Sequence, residues 1–169
     1  MIKTILIAAI SADGKIAERA EQSSLDWTSK EDTQFFVKRT KEAGVVIMGR
    51  KTFETIGKPL KERLIVVMTS SIEDKASQEE VLEYTSASPK ELLENLDRRG
   101  YKEAAICGGS SVYSQFLKED LVDELYLTIE PVLFGDGVPF AAGFGRLNLY
   151  LIDSTKLNDQ AVLLHYRRQ

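Results

Sequence analysis

The sequence predicts an α/β protein in which a mostly parallel, twisted sheet has helices on both faces and an antiparallel edge formed by the C-terminal strands. Two patterns in the 169 residues lead to this prediction. In the first two thirds, short apolar runs alternate with helical stretches, as in parallel sheets whose strands are buried on both faces. In the last third, apolar runs follow one another without helices between them, which indicates added strands.

Seven segments are predicted as strands. The four in the first two thirds are short, apolar and often β-branched, and they are Ile5–Ile10, Val45–Met48, Leu64–Met68 and Ala104–Cys107. The three in the last third alternate in polarity or run apolar, and they are Glu124–Glu130, Leu147–Asp153 and Ala161–Tyr166. We expect these later strands to include a hairpin.

Three helices are predicted between the strands, at Lys30–Lys41, Pro89–Arg99 and Ser110–Lys118. Ser29 and Ser88 stand at the N-cap positions of the first two, where a hydroxyl can accept a hydrogen bond from a free backbone N–H. Pro89 suits the first helical position because its missing N–H would have no partner there, and Gly100 suits the C-terminal end.

Composition argues against several classes of protein. A formal net charge of −4 without a basic stripe gives no support to nucleic-acid binding. Cys107 and His165 are the single cysteine and the single histidine, so disulfide frameworks, clustered metal sites and Ser-His-Asp catalysis are disfavoured. Ile5–Ile10 is too short to span a bilayer. We therefore expect a cytoplasmic protein with no metal, membrane or nucleic-acid partner, and Cys107 packed rather than reactive.

Three predicted strand ends suit phosphate binding. In parallel sheets, ligands bind beyond the carboxyl ends of the strands. Small, hydroxylated or cationic residues follow three of the apolar runs, at Gly49-Arg50-Lys51-Thr52, at Thr69-Ser70 and at Gly108-Gly109-Ser110-Ser111. Free amides at a helix N-terminus bind anions, and glycines let a ligand approach the backbone. Each feature is weak alone, but together they predict an extended nucleotide cofactor.

Two further features leave alternatives open at this point. The segment Ser11–Ala17 is either a simple turn after the first strand or part of a loop that closes over a site. Asp32 and Phe36 share one face of the first predicted helix. Taken alone, the position of Asp32 favours a first-turn acid that interacts with the helix dipole.

In three stretches the sequence resembles dihydrofolate reductase. The most specific is Val46–Leu60, which continues through Arg63; Gly108-Gly109 with Val112-Tyr113 is similar to the second cofactor motif of that family, and Gly135–Phe140 to its late loop. The similarity covers nearly the whole chain and implies a single domain, 1–169, with the three-layer dihydrofolate reductase-like fold. Ser11–Ala17 is more similar to the reductase domain of riboflavin biosynthesis, which shares that fold.

The resemblance implies roles for individual residues. Asp32 would orient the pterin ring and help to protonate it, with Trp27 and Thr128 as the other catalytic positions, and Arg63 would bind the α-carboxylate of the folate glutamate. The other implied substrate-binding residues are Ile7, Ala8, Phe36, Ile56, Leu60 and Cys107. The implied cofactor-binding residues are Ala9, Ile16, Gly49, Arg50, Lys51, Thr52, Thr69, Ser70, Gly108, Gly109, Ser110, Ser111, Val112 and Tyr113. A cis peptide between Gly108 and Gly109 is also expected.

The implied activity is the reduction of 7,8-dihydrofolate to 5,6,7,8-tetrahydrofolate by hydride transfer from NADPH, in tetrahydrofolate biosynthesis and one-carbon metabolism. The residues that match the family's adenosine-phosphate side are Arg50, Lys51, Thr52, Thr69 and Ser70. A cation and a hydroxyl there can hold an extra phosphate, which favours NADPH over NADH. One alternative is a riboflavin-pathway reductase of a ribosylamino-pyrimidine phosphate. Another is a nucleotide-binding protein that has lost catalysis. The sequence is compatible with a monomer or a homodimer.

Overall fold

The computed structural model of the chain describes residues 1–73 and 75–169. In chain order the strands are β1 (Lys3–Ser11), β2 (Lys15–Ala17), β3 (Val45–Gly49), β4 (Leu64–Met68), β5 (Leu82–Thr85), β6 (Glu103–Ile106), β7 (Glu124–Glu130), β8 (Val138–Pro139), β9 (Leu149–Lys156) and β10 (Val162–Arg168). The helices are α1 (Lys30–Ala43), α2 (Arg50–Ile56), α3 (Pro89–Arg98) and α4 (Ser110–Lys118), with a short 3₁₀ turn at Ser24–Asp26.

The main sheet confirms the predicted fold class. Its eight strands lie in the order β5-β4-β3-β6-β1-β7-β10-β9. The first six strands in this order, from β5 to β7, are parallel to one another, whereas β10 is antiparallel to both β7 and β9. The short strands β2 and β8 pair separately as a two-stranded sheet. The carboxyl ends of β1, β3, β4, β6 and β7 therefore meet at one edge of the main sheet.

Helices cover both faces of the sheet, which makes the three layers that the sequence predicts. On one face, Phe35 and Phe36 of α1 pack with Phe53 of α2 over the buried side chains of β3 and β4. On the other face, Leu96 of α3 and Phe116 of α4 are fully buried. Burial of large side chains on both faces supplies most of the favourable free energy of such a fold.

The predicted caps form as expected. The Ser29 side chain accepts a hydrogen bond from the Asp32 N–H at the start of α1. Ser88 and Glu91 form a reciprocal capping box at the start of α3, where Pro89 is the first helical residue. α1 runs two residues beyond its predicted end and stops at Gly44, whose φ of 79° is left-handed.

The sequence prediction misses or misplaces the strands that lie at the edges. β5 was not predicted because it has only four residues and only Leu82 among them is buried. β9 begins two residues after the predicted start and continues through Asp153–Lys156. Nearly all its side chains are exposed, so apolar periodicity does not mark where it ends. Within the described ranges, no helix has the length and apolarity needed to cross a membrane.

Candidate active site

A cleft of about 1030 Å³ lies along the carboxyl ends of the parallel strands. It extends from β1 and α1 to the N-termini of α2 and α4, and residues 22–25 of the irregular segment before α1 form part of its rim. This is the upper end of the volume range for small-molecule sites, which leaves room for a large cofactor together with a substrate. The site therefore lies where the sheet topology places ligands.

Most of the predicted site residues line this cleft. All of the residues predicted to contact the cofactor are in this lining, from Ala9 and Ile16 to Tyr113. The predicted substrate residues found in the lining are Ile7, Ala8, Asp32, Phe36, Ile56, Leu60 and Cys107. Trp27, Arg63 and Thr128 lie outside the lining.

Three glycines bring two helix N-termini together at one end of the cleft. The Gly49 N–H donates a hydrogen bond to the Gly108 carbonyl oxygen at 2.8 Å, and the Gly108–Gly109 peptide is cis, as predicted. A Cβ on Gly109 would lie 3.2 Å from the Thr52 Oγ1, and one on Gly108 would lie 3.3 Å from the Tyr113 Oη. The missing side chains therefore leave the backbone amides that begin α2 and α4 side by side.

The charges around the cleft favour an anionic ligand. Among the described residues that line it, Asp32 is the only acid, whereas Arg50, Lys51 and Lys58 are cations. Hydroxyl groups lie at the ends of β4 and β5 or directly after them, at Thr69, Ser70, Thr85 and Ser86. Free helix amides, cations and hydroxyls are the groups that bind phosphates in proteins. This end of the cleft can hold several phosphate groups.

Asp32 lies at the other end of the cleft, in the first turn of α1. Burial raises the pKa of its carboxyl, and the negative charge of Glu130 raises it further, whereas a hydrogen bond with the Thr128 hydroxyl acts in the opposite direction. The net effect is a raised pKa. A carboxyl that keeps its proton closer to neutral pH is suited to proton transfer.

Apolar groups surround the middle of the cleft. Ile7 and Ala8 of β1 line it together with Phe36 and Leu60, and Ile7 packs in the same apolar cluster as Phe36 and Leu60. The Tyr113 hydroxyl donates to the Ile7 carbonyl oxygen at 2.6 Å, which fixes β1 against α4. Cys107 is a buried free thiol whose pKa is raised by burial, so it is packed rather than reactive, as predicted.

Arg63 lies in a shallow groove next to the main cleft. The groove and the cleft share one wall residue, Leu60. The Arg63 side chain is buried, and its Nε donates to the Lys61 carbonyl oxygen at 2.8 Å. Its Nη1 donates to the Thr40 hydroxyl and to the Val37 carbonyl oxygen. The guanidinium is therefore held in a fixed orientation against α1.

Trp27 and Thr128 support the cleft from behind its lining. The Trp27 ring packs edge-on against Phe134 with 5.0 Å between the ring centroids. Its Nε1 is buried without a hydrogen-bond partner among the described residues. Thr128 is 1% exposed and lies on β7 beside Ala9 of β1. Thr128 reaches the site through its contact with Asp32.

Hydrogen bonds join the turn after β1 to the loop after β7. The Asp13 carboxylate accepts hydrogen bonds from the Gly135 N–H at 2.7 Å and the Phe134 N–H at 3.2 Å. The Ser11 hydroxyl also donates to it, and together these bonds lower the pKa of Asp13. A Cβ on Gly137 would lie 2.6 Å from the Ala17 carbonyl oxygen, so glycine is required there. Asp13 thus has a structural role beside the site.

Glu130 and Lys58 are site features that the sequence analysis does not identify. Glu130 is 3% exposed at the end of β7, and its carboxylate accepts two hydrogen bonds from Ser29. A signal for it exists, because Thr128 and Glu130 are two residues apart on a strand and so share a face. Lys58 follows α2 in a loop, where no periodic pattern indicates its direction.

The chain is similar to known proteins over most of its length. The family model described as dihydrofolate reductase matches residues 3–138. An uncharacterized Bacillus subtilis protein, YwjB, is 29% identical over 174 residues, which cover 98% of each chain. The dihydrofolate reductase HdrB of Haloferax volcanii is 33% identical over 120 residues, which cover 69% of this chain and 60% of HdrB.

Solved structures of two kinds of reductase share the fold with this chain. The reductase of Enterococcus faecalis, a dihydrofolate reductase complexed with NADP(H), superposes with a TM-score of 0.76 at 22% identity, over 99% of this chain and 96% of that one. A Thermotoga maritima diaminohydroxyphosphoribosylaminopyrimidine deaminase/5-amino-6-(5-phosphoribosylamino)uracil reductase superposes with a TM-score of 0.80 at 21% identity. That match covers 99% of this chain and 57% of the Thermotoga protein.

Proposed function

Because the chain belongs to the dihydrofolate reductase family of oxidoreductases, we propose that it reduces 7,8-dihydrofolate to 5,6,7,8-tetrahydrofolate by hydride transfer from NADPH. The observation that carries this proposal is the place of Asp32. It is the one acid among the described lining residues, its pKa is raised, and the same cleft continues to a phosphate-binding end. We propose that residues 1–169 act as one catalytic domain.

The residues at the phosphate end fit a dinucleotide. A side chain at Gly108 or Gly109 would fill the space where the amides of α2 and α4 converge, so the glycines keep that space open for a pyrophosphate. Arg50, Thr69 and Ser70 provide the cation and hydroxyls that an additional 2′-phosphate requires, which favours NADPH over NADH. When bound, this cofactor supplies the hydride.

The protein's own contribution is positioning and proton supply. Ile7, Phe36 and Leu60 form an apolar surround that keeps water away from the reacting rings. The Asp32 carboxyl holds a proton next to the place where a substrate ring nitrogen becomes basic. The Thr128 hydroxyl is the neighbour that favours the ionised form of that carboxyl and lowers its pKa, against the effect of burial. Holding the two rings in contact supplies much of the rate enhancement.

The groove at Arg63 supports a substrate that carries a carboxylate tail. Two nitrogens of the guanidinium bond to Lys61, Val37 and Thr40, and Nη2, which has no hydrogen-bond partner within residues 1–73 and 75–169, can bind a ligand. Because Leu60 separates the groove from the cleft, a ligand that extends past Leu60 would reach Arg63. A fixed guanidinium is suited to binding a carboxylate.

A second candidate is the reduction of a ribosylamino-pyrimidine phosphate. Two observations favour it. The TM-score with the bifunctional Thermotoga reductase is 0.80, compared with 0.76 for the Enterococcus dihydrofolate reductase. Lys58 lines the cleft without a role in the folate proposal, and its ammonium group could bind a substrate phosphate.

The test is the loss of NADPH absorbance with the purified protein and each substrate in turn, with Asp32→Asn beside the wild type. Turnover of 7,8-dihydrofolate that the variant loses would support the folate proposal. Turnover of the pyrimidine substrate alone would replace it with the second candidate. NADPH binding by fluorescence, without turnover of either substrate, would indicate a nucleotide-binding protein that has lost catalysis.

A further inference from the structure

Glu130 is a buried acid without a cation partner. It is 3% exposed, and among the described residues it is the only acid in the buried class. No ion pair of Glu130 is found among the described residues. Instead, its Oε1 accepts hydrogen bonds from the Ser29 N–H at 2.8 Å and the Ser29 hydroxyl at 2.7 Å. Burying a carboxylate without a cation costs free energy, so a structural or functional gain must offset it.

The two hydrogen bonds connect Glu130 to Asp32. Ser29 is the N-cap of α1, and its hydroxyl oxygen accepts the Asp32 N–H at 3.3 Å while its hydrogen points to Glu130. Ser29 also accepts the Thr33 N–H through its carbonyl oxygen at 3.2 Å. Glu130 therefore holds the residue on which the first turn of α1 is built. That turn sets where the Asp32 carboxyl enters the cleft.

We propose that Glu130 is a positioning residue for Asp32: its carboxylate fixes the first turn of α1 through Ser29, and its negative charge helps to keep a proton on the Asp32 carboxyl. The functional part of this proposal rests on the proposed reductase activity. The hydrogen bonds and the proximity of the two acids do not depend on the identity of the substrate.

The surroundings of Asp32 make the charge of Glu130 effective. Burial is the main reason that the pKa of Asp32 is raised, and the Glu130 charge acts in the same direction. From α4, Tyr113 faces Asp32 as a neutral phenol, since burial raises its pKa. On α1 itself, the Glu31 carboxylate accepts a hydrogen bond from Asn158 at 3.1 Å. The cations of the cleft, Arg50, Lys51 and Lys58, belong to α2 and the loop after it.

A capping role alone would not require a negative charge. A glutamine at position 130 has an amide oxygen that can accept both bonds from Ser29, without the cost of burying a charge. The charge therefore has an effect that the hydrogen bonds do not explain. Two acids that share a site favour the protonated form of one of them, and the acid in the cleft is Asp32.

The first experiment measures the titration of Asp32 in the protein without ligand. Samples carrying ¹³C-labelled aspartate are titrated by NMR, with Asp32→Asn to assign the resonance. We expect Glu130→Gln to lower the pKa of Asp32 and Glu31→Gln to leave it unchanged. Glu31→Gln is the matched control because it removes the same charge from the neighbouring residue of the same turn. An unchanged Asp32 titration in Glu130→Gln would overturn the proposed charge effect.

The second experiment follows the pH dependence of single-turnover reduction. In Glu130→Gln, we expect the rate at low pH to equal that of the wild type, and the rate above the Asp32 pKa to be about threefold lower. In Glu130→Ala and Ser29→Ala, the rate should fall at every pH because the turn is no longer held. Equal rates in Glu130→Ala and the wild type would overturn the positioning role.

The two experiments separate this proposal from the proposed function. If the wild type reduces neither substrate, the proposed function fails, but the NMR titration still decides whether Glu130 acts on Asp32. If the wild type is active and neither variant of Glu130 differs from it in rate profile or titration, the inference about Glu130 fails alone.

Discussion

Two acids near opposite ends of α1 have pKa values shifted in opposite directions. In its first turn, Asp32 lies in the cleft and forms no ion pair with another described residue, and burial raises the pKa of its carboxyl. Two turns later, Arg39 donates to the Glu103 carboxylate at 2.6 Å, at the amino-terminal edge of the sheet. Burial would raise the pKa of Glu103 as well, but the hydrogen bonds and charges of Arg39 and Lys3 lower it.

The same pattern continues along the amino-terminal edge. Lys3 bridges to Glu124 at 2.9 Å, and His165 lies 2.9 Å from the same carboxylate. Burial opposes these contacts, but they lower the pKa of Glu124. The Tyr126 ring is stacked on the His165 ring, with 4.2 Å between the ring centroids. The Arg39 guanidinium lies 5.3 Å from the centroid of the Tyr126 ring.

This comparison shows that burial alone does not decide how an acid contributes. Where cations surround a carboxylate, its charged form is favoured and it stabilises the fold. Where cations are absent, as around Asp32, the charged form costs stability, and the raised pKa makes the group a candidate for proton transfer. One helix therefore connects a stabilising edge of the sheet to a reactive one.

The largest expected effect is at the reactive end. Asp32→Asn should lower the rate of dihydrofolate reduction at neutral pH by about 100-fold or more, because the proton source is removed. The same substitution should not lower the free energy of unfolding at pH 7, since the ionised carboxylate is disfavoured in the folded state. Steady-state kinetics and urea unfolding measure the two effects.

NADPH binding to Asp32→Asn provides the control, because the proposed cofactor residues lie at the other end of the cleft. A variant that loses stability together with activity would contradict the comparison. It would mean that Asp32 stabilises the fold in the same way as the acids of the amino-terminal edge.

The next effect is at the stabilising end. Arg39→Met should lower the free energy of unfolding by about 2 kcal/mol, because Glu103 loses the closer of its two cations while it remains partly buried. Turnover should stay unchanged, since Arg39 lies outside the cleft. Lys41→Met is the matched control on the same helix: its partner Glu62 is exposed, so the loss should be below about 1 kcal/mol. Equal losses in the two variants would remove the distinction between them.

The sequence predicts the reactive end better than the stabilising one. The glycines and hydroxyls that the sequence indicates for phosphate binding follow buried strands directly, so their positions can be predicted from local patterns. The amino-terminal network joins residues that are far apart in the chain, such as Arg39 with Glu103 and Lys3 with Glu124. Their pairing depends on the order of the strands, which periodicity does not specify. Glu130 was missed for the same reason, because its partner Ser29 is 101 residues away.

A substitution of Arg63 tests whether its contacts with the middle of α1 serve the stability of the fold or the binding of substrate. It bonds to Val37 and Thr40, in the middle of the helix. We expect Arg63→Ala to raise the KM for dihydrofolate by about tenfold with little change in kcat, because a carboxylate contact is lost. A dihydropterin substrate without the glutamate should show the same KM with both proteins. If both substrates lose affinity equally, Arg63 only supports the fold.

The smallest effect concerns the pH dependence of stability, in which the two ends have opposite signs. The lowered pKa of Glu103 means that its contribution is complete above its unfolded pKa, near 4.5, and is lost as the pH falls through its folded value. Between pH 7 and pH 3, the free energy of unfolding of Glu103→Gln should therefore fall by about 1 kcal/mol less than that of the wild type, as measured by urea unfolding.

The raised pKa of Asp32 acts in the other direction, because protonation on acidification favours the folded state. Asp32→Asn should thus lose more stability than the wild type over the same range. Parallel curves for the two variants would show that the two ends of α1 do not differ in the way their pKa shifts indicate.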